Sequence, residues 1–448
     1  MLIMHNCENR WKTKIIEIEI DQPLREITGL EGYADALLVF RYRGGVVGTA
    51  RTPVIAGRIP SAAIRTEQAK TAWPVWKRTI AEKSRSTTDL PSVTVVVCTR
   101  DRPDDLAHCL PELARLAEKG AEVLIVDNCP RDGRTMRLVE KYSGIGYIHE
   151  PRPGLNIARN RGLRAAQGEV VAFLDDDAIP DAGWLQSLLA DFADPMVAVV
   201  TGITLPLELE TPAQQWFEKT NSFGRGYVRR VFEAAVTSVL GSGQVGAGVN
   251  MAIRRSSITE IGFFDEALDS GTPTMSGGDQ EFFSRALARG FRIVYEPAAL
   301  VWHRHRRDWS DLRRTLFGYG VGLFAWWTRA LIIEKEMTVL YWGSRWFVSH
   351  VLGELLRSLL KRPDHRPFDL AMAEFNGAIR GPWRYFLSRK MLNRILRTAD
   401  QMFDGSTPTS DGQVEEVSGQ ISVSLSAQGP SREAGTMSFD ETTIGTRS

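Results

Sequence analysis

The chain has 448 residues, 43% apolar and 24% charged, enough for two or three domains and at least one large core. A formal net charge of +1 gives no general reason to expect a nucleic acid or other polyanion as partner. Cys7, Cys98, Cys109 and Cys129 show neither CxxC nor zinc-like spacing, so reduced thiols in a cytoplasmic protein are expected.

The opening MLIMHNCENRWK has no long apolar core, and no secretory signal is expected there. Residues 1–90 read as a small α+β appendage. IIEIEI alternates like a strand, and ALLVFRYRGGVVGTA gives two strands joined near Gly44-Gly45. RTEQAKTAWPVWKRTIAEK is helical but broken at Pro74, and SRSTTDLPS is a polar linker. Over 91–310 strands alternate with helices. VTVVVCT, EVLIVDN, IGYIHEP, EVVAFL and MVAVVTGIT are apolar strand-like runs, and the helices between them include DRPDDLAHCLPELARLAEKG, kinked at Pro111, and GLNIARNRGLRAAQG. This rhythm predicts an α/β fold with a mainly parallel sheet and flanking helices, whose ligands sit beyond the carboxyl ends of the strands.

Residues 311–400 turn helical, aromatic and basic. No uncharged apolar run there reaches the length that a spanning helix needs. LFGYGVGLFAWWT (Leu316–Thr328) and VLYWGSRWFVSHVLGELL (Val339–Leu356) suit either interfacial helices or helices packed on the protein core. Residues 401–448, rich in Ser, Thr, Gly and Gln, read as a disordered tail.

The residues that carry chemistry follow the strands. FLDDDAIPDAGWL places Asp175, Asp176 and Asp177 side by side, where two carboxylates ~5 Å apart repel by about 3 kcal/mol at an effective dielectric near 20. A hard divalent cation holding a diphosphate relieves that repulsion. Asp181, just before AGWLQSLL, has the place of a helix N-cap. Thr99 and Arg100 end the first strand of this region, and Asp127 and Asn128 end the second, where they can meet a base or ribose. Asn156, Arg159 and Asn160 share one helix face suited to phosphate or ribose, and Asn250 offers an amide to a pocket floor. Asp279, after two glycines, is either an N-cap or a general base, and His303 is a further metal ligand.

Taken together, VVVCTRDRPDDLAHCL, VLIVDNCP, PGLNIARNRGLRAAQGEVVAFLDDDAIPDAGWL and GGDQEFFSRALARGFRIVYEPAALVWH resemble the family 2 glycosyltransferases of the GT-A fold, in the family's order, from Val93 to Arg307. The resemblance implies that Asp175 and Asp177 are the ends of a DxD motif, with Asp177 contacting Mg²⁺ or Mn²⁺ and Asp175 or Asp176 reaching the donor ribose. It implies a base contact for Asp127 beside Thr99 and Arg100, and a metal contact for His303. Asp279 corresponds to the aspartate of the family's ED motif, the catalytic base, although Gly278 stands where the motif has Glu.

The implied activity is inverting transfer from a nucleoside-diphosphate sugar, rhamnose-type donors among them, to a saccharide or lipid-linked acceptor in bacterial surface polysaccharide or glycolipid synthesis. The implied location is the cytoplasm or the inner face of the plasma membrane, with peripheral association through 316–356. WGSRW lacks the glutamine of the QxxRW motif found in processive synthases. The alternatives are a nucleotidyltransferase, for which CTRDRPDD supplies no glycine- and lysine-rich phosphate loop, and a catalytically inactive sugar-nucleotide-binding protein.

Overall fold

The computed structural model describes residues 12–83, 90–362 and 365–404. The expected disordered tail beyond 404, the opening MLIMHNCENRW and most of the linker SRSTTDLPS lie outside these residues.

The N-terminal part is a three-stranded sheet of β1 (Thr13–Glu19), β2 (Asp35–Tyr42) and β3 (Gly45–Pro53), with β1 parallel and β3 antiparallel to β2. The β2–β3 hairpin turns at Arg43 and Gly44, both with positive φ, as a tight two-residue turn requires. Leu38, Phe40, Val47 and Ile59 pack under the helix Ser61–Gln68, around Ile64, in a core of their own. That helix passes through a 3₁₀ turn at Ala69–Thr71 into Ala72–Lys83, so Pro74 sits in a first helical turn, where its missing N–H costs nothing.

The central sheet has nine strands. β4 (Val93–Thr99), β5 (Glu122–Asn128), β6 (Ile145–Glu150) and β7 (Val170–Asp175) are mutually parallel, in the order β6-β5-β4-β7. β8 (Ala178–Pro180), β9 (Val197–Pro206), β10 (Arg230–Phe232), β11 (Asn250–Arg254) and β12 (Arg292–His303) complete it. β11 lies antiparallel between β7 and β9, and β12 runs parallel to β9. This is the GT-A type of α/β architecture, with a helical C-terminal region.

Alternate residues of the apolar strands serve opposite layers. Val96, Phe173 and Met251 join the Phe282–Phe283 side, while Val95, Val97 and Ala172 join Leu106, Leu110 and Trp184. The helix Pro103–Glu118 runs through Pro111 without a break. Because the chain steps outward from β4 to β6 and then returns to β7 on the other side of β4, the crevice opens between the ends of β4 and β7. Pairing of Thr99 with Asp127 and of Cys98 with Asp175 puts all the strand-end candidates in one row.

Candidate active site

The row faces a cleft of about 760 Å³, open mouth included, lined by Thr99, Arg100, Asn128, Asp175, Asp177 and His303 among others. β7 ends at Asp175, the chain turns through Asp176 and Asp177, and β8 then pairs with the end of β12, setting His303 opposite Ala178. The Asp177 carbonyl accepts the Arg304 N–H at 2.9 Å and fixes this junction. Ligand atoms of Asp175, Asp177 and His303 consequently lie within 4.8 Å of one another.

The three adjacent carboxylates are not equivalent. Asp176 turns away from the cation candidates: it accepts Thr99 Oγ1 at 2.7 Å and Arg102 Nη1 at 2.5 Å, fastening the end of β7 to that of β4. Burial lifts it to about 7, against the pull of Arg102. Burial also opposes a charge on Asp177, but His303, Arg102 and Arg306 outweigh it and hold that carboxyl below the ordinary range. Desolvation and then the Asp177 charge raise Asp175. Arg102 Nη2 at 2.8 Å and Arg306 Nη1 at 3.4 Å from Asp177 answer the repulsion among the aspartates within the protein itself.

A chain of side chains orients the imidazole. His303 Nε2 lies 3.2 Å from Asp177 Oδ1, its Nδ1 lies 2.9 Å from His305 Nδ1, and His305 Nε2 lies 3.0 Å from Glu218. Burial lowers the His305 pKa, favouring its neutral ring. A neutral His305 that donates to Glu218 through Nε2 accepts at Nδ1, so His303 donates from Nδ1 and turns its Nε2 toward Asp177. The donor set, two carboxylates and an imidazole, fits a divalent ion.

Asp127 is fully buried, accepts Tyr147 Oη at 2.9 Å, and is raised by desolvation. Its Oδ1 finds no hydrogen-bond partner among the described residues. Asn128 lines the cleft, but its amide is engaged: Nδ2 donates to Arg152 O at 2.7 Å and Oδ1 accepts Gly154 N at 2.9 Å.

The helix Leu155–Ala165 differs most from expectation. Asn156, Arg159 and Asn160 all face inward and are buried. Asn160 grips the backbone of Phe264 through both its amide atoms, and Asn156 donates to Asp265 O. Arg159, expected to touch the donor, lies outside the cleft lining and pairs with Asp269 at 2.8 Å. It feels Asp175 and Asp279 as well, so it stands as a buried cation between the strand-end aspartates and the base candidate.

Asp279 lies in the first turn of the helix Gly278–Ala288, whose N-cap is Gly277, so it is not the cap itself. Its Oδ2 accepts the Gly248 N–H and its Oδ1 the Gln280 N–H, each at 2.8 Å. A Cβ on Gly248 would strike Arg159 Nη2 at 2.7 Å and press on Asp279 at 3.1 Å, which explains the bare glycine of that loop. The departure at Gly278 also has a steric reason: a Cβ there would strike Asn156 and, at 2.6 Å, the Asp269 carboxylate.

Two other readings are corrected. Asn250 forms no pocket floor, because it is wholly buried and donates to Ile203 O and Ala299 O while accepting Trp184 Nε1. Asp181 is not a helix cap. The helix Trp184–Leu189 has Gly183 in that position, and Asp181 receives Arg41 of the N-terminal sheet at 2.7 and 3.1 Å.

Residues 94–262 match the family described as Glycosyl transferase family 2. They form a family 2 glycosyltransferase domain. A pre-mycofactocin glycosyltransferase of Mycobacterium tuberculosis is 34% identical over 235 residues, covering 50% of this chain and 46% of that protein. The chain thus spans about half the length of that curated relative. The succinoglycan biosynthesis protein ExoM of Rhizobium meliloti is 27% identical over 218 residues, covering 47% of this chain and 65% of that one. Among solved structures, the mannosyltransferase PcManGT from Pyrobaculum calidifontis, in complex with GDP-Man and Mn²⁺, has a TM-score of 0.47 at 16% identity, covering 69% of this chain and 94% of that one.

Within the glycosyltransferase domain and its flank, sequence reasoning missed Arg102, Asp269 and Glu218. Arg102 lay two residues past Arg100 in CTRDRP, and its spacing gave a weak signal. Asp269 and Glu218 gave none, since each acquires its partner only through long-range folding.

Proposed function

We propose that the chain is an inverting, metal-dependent glycosyltransferase that moves a sugar from a nucleoside-diphosphate sugar to an acceptor hydroxyl. The acceptor would be a saccharide or lipid-linked, in the synthesis of a bacterial surface polysaccharide or glycolipid at the cytoplasmic face of the membrane. The observation that carries this reading is the gathering of Asp175, Asp177 and His303 at one cleft, with the buried Arg159 close enough to feel both Asp175 and Asp279.

In this reading the base rests against Asp127, Thr99 and Arg100, and Arg306 faces the diphosphate. Asp175, Asp177 and His303 would hold a divalent cation, which would supply Lewis-acid stabilisation of the charge on the leaving diphosphate. Asp279 accepts the acceptor's proton as the hydroxyl oxygen bonds to the anomeric carbon. The bond from that carbon to the diphosphate breaks in the same displacement, its electron pair leaves with the diphosphate, and the anomeric configuration inverts. The N–H groups of Gly248 and Gln280 fix the orientation of the carboxylate.

The test is Asp279→Asn assayed against a panel of nucleotide sugars with Mg²⁺ or Mn²⁺. Transfer should fall by about 10²-fold or more, as for loss of a general base, while nucleotide binding measured by calorimetry stays near wild type. A variant that still transfers with inversion would remove Asp279 from the role. A wild-type protein that binds none of the donors would remove the reading.

A further inference from the structure

Among the described residues, a broad apolar surface lies exposed on the C-terminal helices, away from the cleft. The two segments with an interfacial pattern in the sequence have opposite fates. The helix Trp309–Glu334 is by length and composition able to cross a membrane, although the shorter run Leu316–Thr328 predicts otherwise. Yet 56% of its apolar stretch is buried. Val321, Ala325 and Trp326 are interior, and Gly377 and Gly381 of the helix Phe368–Asp404 meet its backbone directly.

The following segment is inverted. Helices Thr338–Trp346 and Gly353–Leu359, joined by a wide turn at Phe347–Leu352, tuck Val339, Gly343, Val351 and Ser358 inward. Their outward side carries Leu340, Tyr341, Trp342, Trp346, Val348 and Leu356. The long helix Phe368–Asp404 adds Ile379, Trp383, Phe386 and Leu387, spaced to share one face, with Trp383 67% exposed. Monomeric soluble proteins rarely leave so many large apolar side chains uncovered on neighbouring helices.

Charge decides what covers it. From 375 to 395 the sequence has five Arg or Lys and no Asp or Glu, and from 337 to 362 it has four against Glu354 alone. Arg345, Lys361, Arg362, Arg389 and Lys390 are exposed. In a chain of net charge +1 this is a strong local excess. A second copy docked through the same face would bring like charges together, whereas an anionic lipid surface answers both the apolar and the basic character.

We propose that the outward face of residues 337–360, with Ile379, Trp383, Phe386 and Leu387, docks the protein on a bilayer bearing anionic lipid, lying in the interface rather than crossing it. Trp and Tyr seat at the headgroup level while arginine and lysine stems extend to the phosphates. This deepens the proposed function by setting the cleft beside lipid-linked acceptors, but it rests on the exposed surface and not on donor chemistry.

The test is flotation of the full chain with phosphatidylcholine vesicles, with and without phosphatidylglycerol. Wild type should float with the phosphatidylglycerol vesicles and bind less as salt rises. Trp342→Ser combined with Trp346→Ser and Leu356→Ser should lower partitioning on the order of tenfold or more. Arg389→Glu with Lys390→Glu should erase the preference for phosphatidylglycerol. Donor hydrolysis should be unchanged in both variants, which shows that they are folded. Wild type that ignores both vesicle types, or variants that float as wild type does, would overturn the docking face. A dimer in light scattering that the triple variant dissociates, without vesicle binding, would overturn it in favour of self-association. Flotation without any donor hydrolysis would count against the glycosyltransferase reading alone.

Discussion

Glu218 shows how far from the cleft the candidate metal site extends. It touches neither Asp175 nor Asp177, but by accepting from His305 Nε2 it orients His305 and, through it, His303. An outer partner of this kind typically contributes about 10–100-fold to metal affinity. Glu218→Ala should therefore weaken Mn²⁺ binding, measured by calorimetry or by the free-Mn²⁺ signal in spin resonance, by about that factor. Glu218→Gln, which keeps an acceptor oxygen, should lose less. Equal Mn²⁺ affinity in all three proteins would show that His303 needs no such orientation. Asp269 works in the same indirect way. Buried and at positive φ, it neutralises Arg159 and fills the space that a Cβ at position 278 would need.

At the level of elements, the C-terminal helix Trp309–Arg329 bears on the segment that presents Asp279. Ser276 donates to Gly318 O at 2.9 Å, and a Cβ on Gly277 would meet Gly322 O at 2.7 Å. Gly322 has no more room on its side, because a Cβ there would enter the Ser276 backbone at 2.5 Å. Gly322→Ala must therefore displace the loop leading to Asp279, and a shift of about 1 Å in a reacting group costs about 10² in rate. The expected result is a fall in kcat with donor affinity retained. Gly353→Ala, whose Cβ would meet nothing nearer than 3.7 Å, should leave kcat unaltered. The strands and the aspartate row were legible beforehand because a strand buried on both faces is a plain apolar run and because like charges seldom adjoin without use. The helix–loop contact was not, since glycines in FGYGVG look alike whether they meet lipid or backbone. Asn156, Asn160 and Asn250 misled for a similar reason: a polar residue of correct spacing serves a ligand or a neighbouring carbonyl equally well, and only the fold names the partner.

In the whole molecule, the N-terminal sheet acts as a brace for the strand end that carries the aspartates. Arg41, 7% exposed, reaches from β2 to Asp181, directly after β8, and so ties the sheet to the segment that follows Asp177. Thr49 and Tyr227 add a contact at 2.5 Å, and Thr13 N donates to Leu209 O at 2.8 Å. Arg41 also pairs with Glu17 within its own sheet, but that carboxylate is half exposed and answers little of the buried charge. Removing Asp181 leaves a buried guanidinium short of its main partner, a loss of about 3–5 kcal/mol in comparable buried pairs. Asp181→Asn should lower the denaturant midpoint and split unfolding into two transitions, the N-terminal sheet releasing first. Arg41→Met, which leaves the less buried Asp181 carboxylate as the unpaired member, should cost less. If the sheet were an independent appendage, both variants would unfold as wild type does and Mn²⁺ affinity would be unmoved. If it is a brace, Asp181→Asn should also weaken Mn²⁺, because Asp177 lies on the same short turn whose far end Arg41 holds.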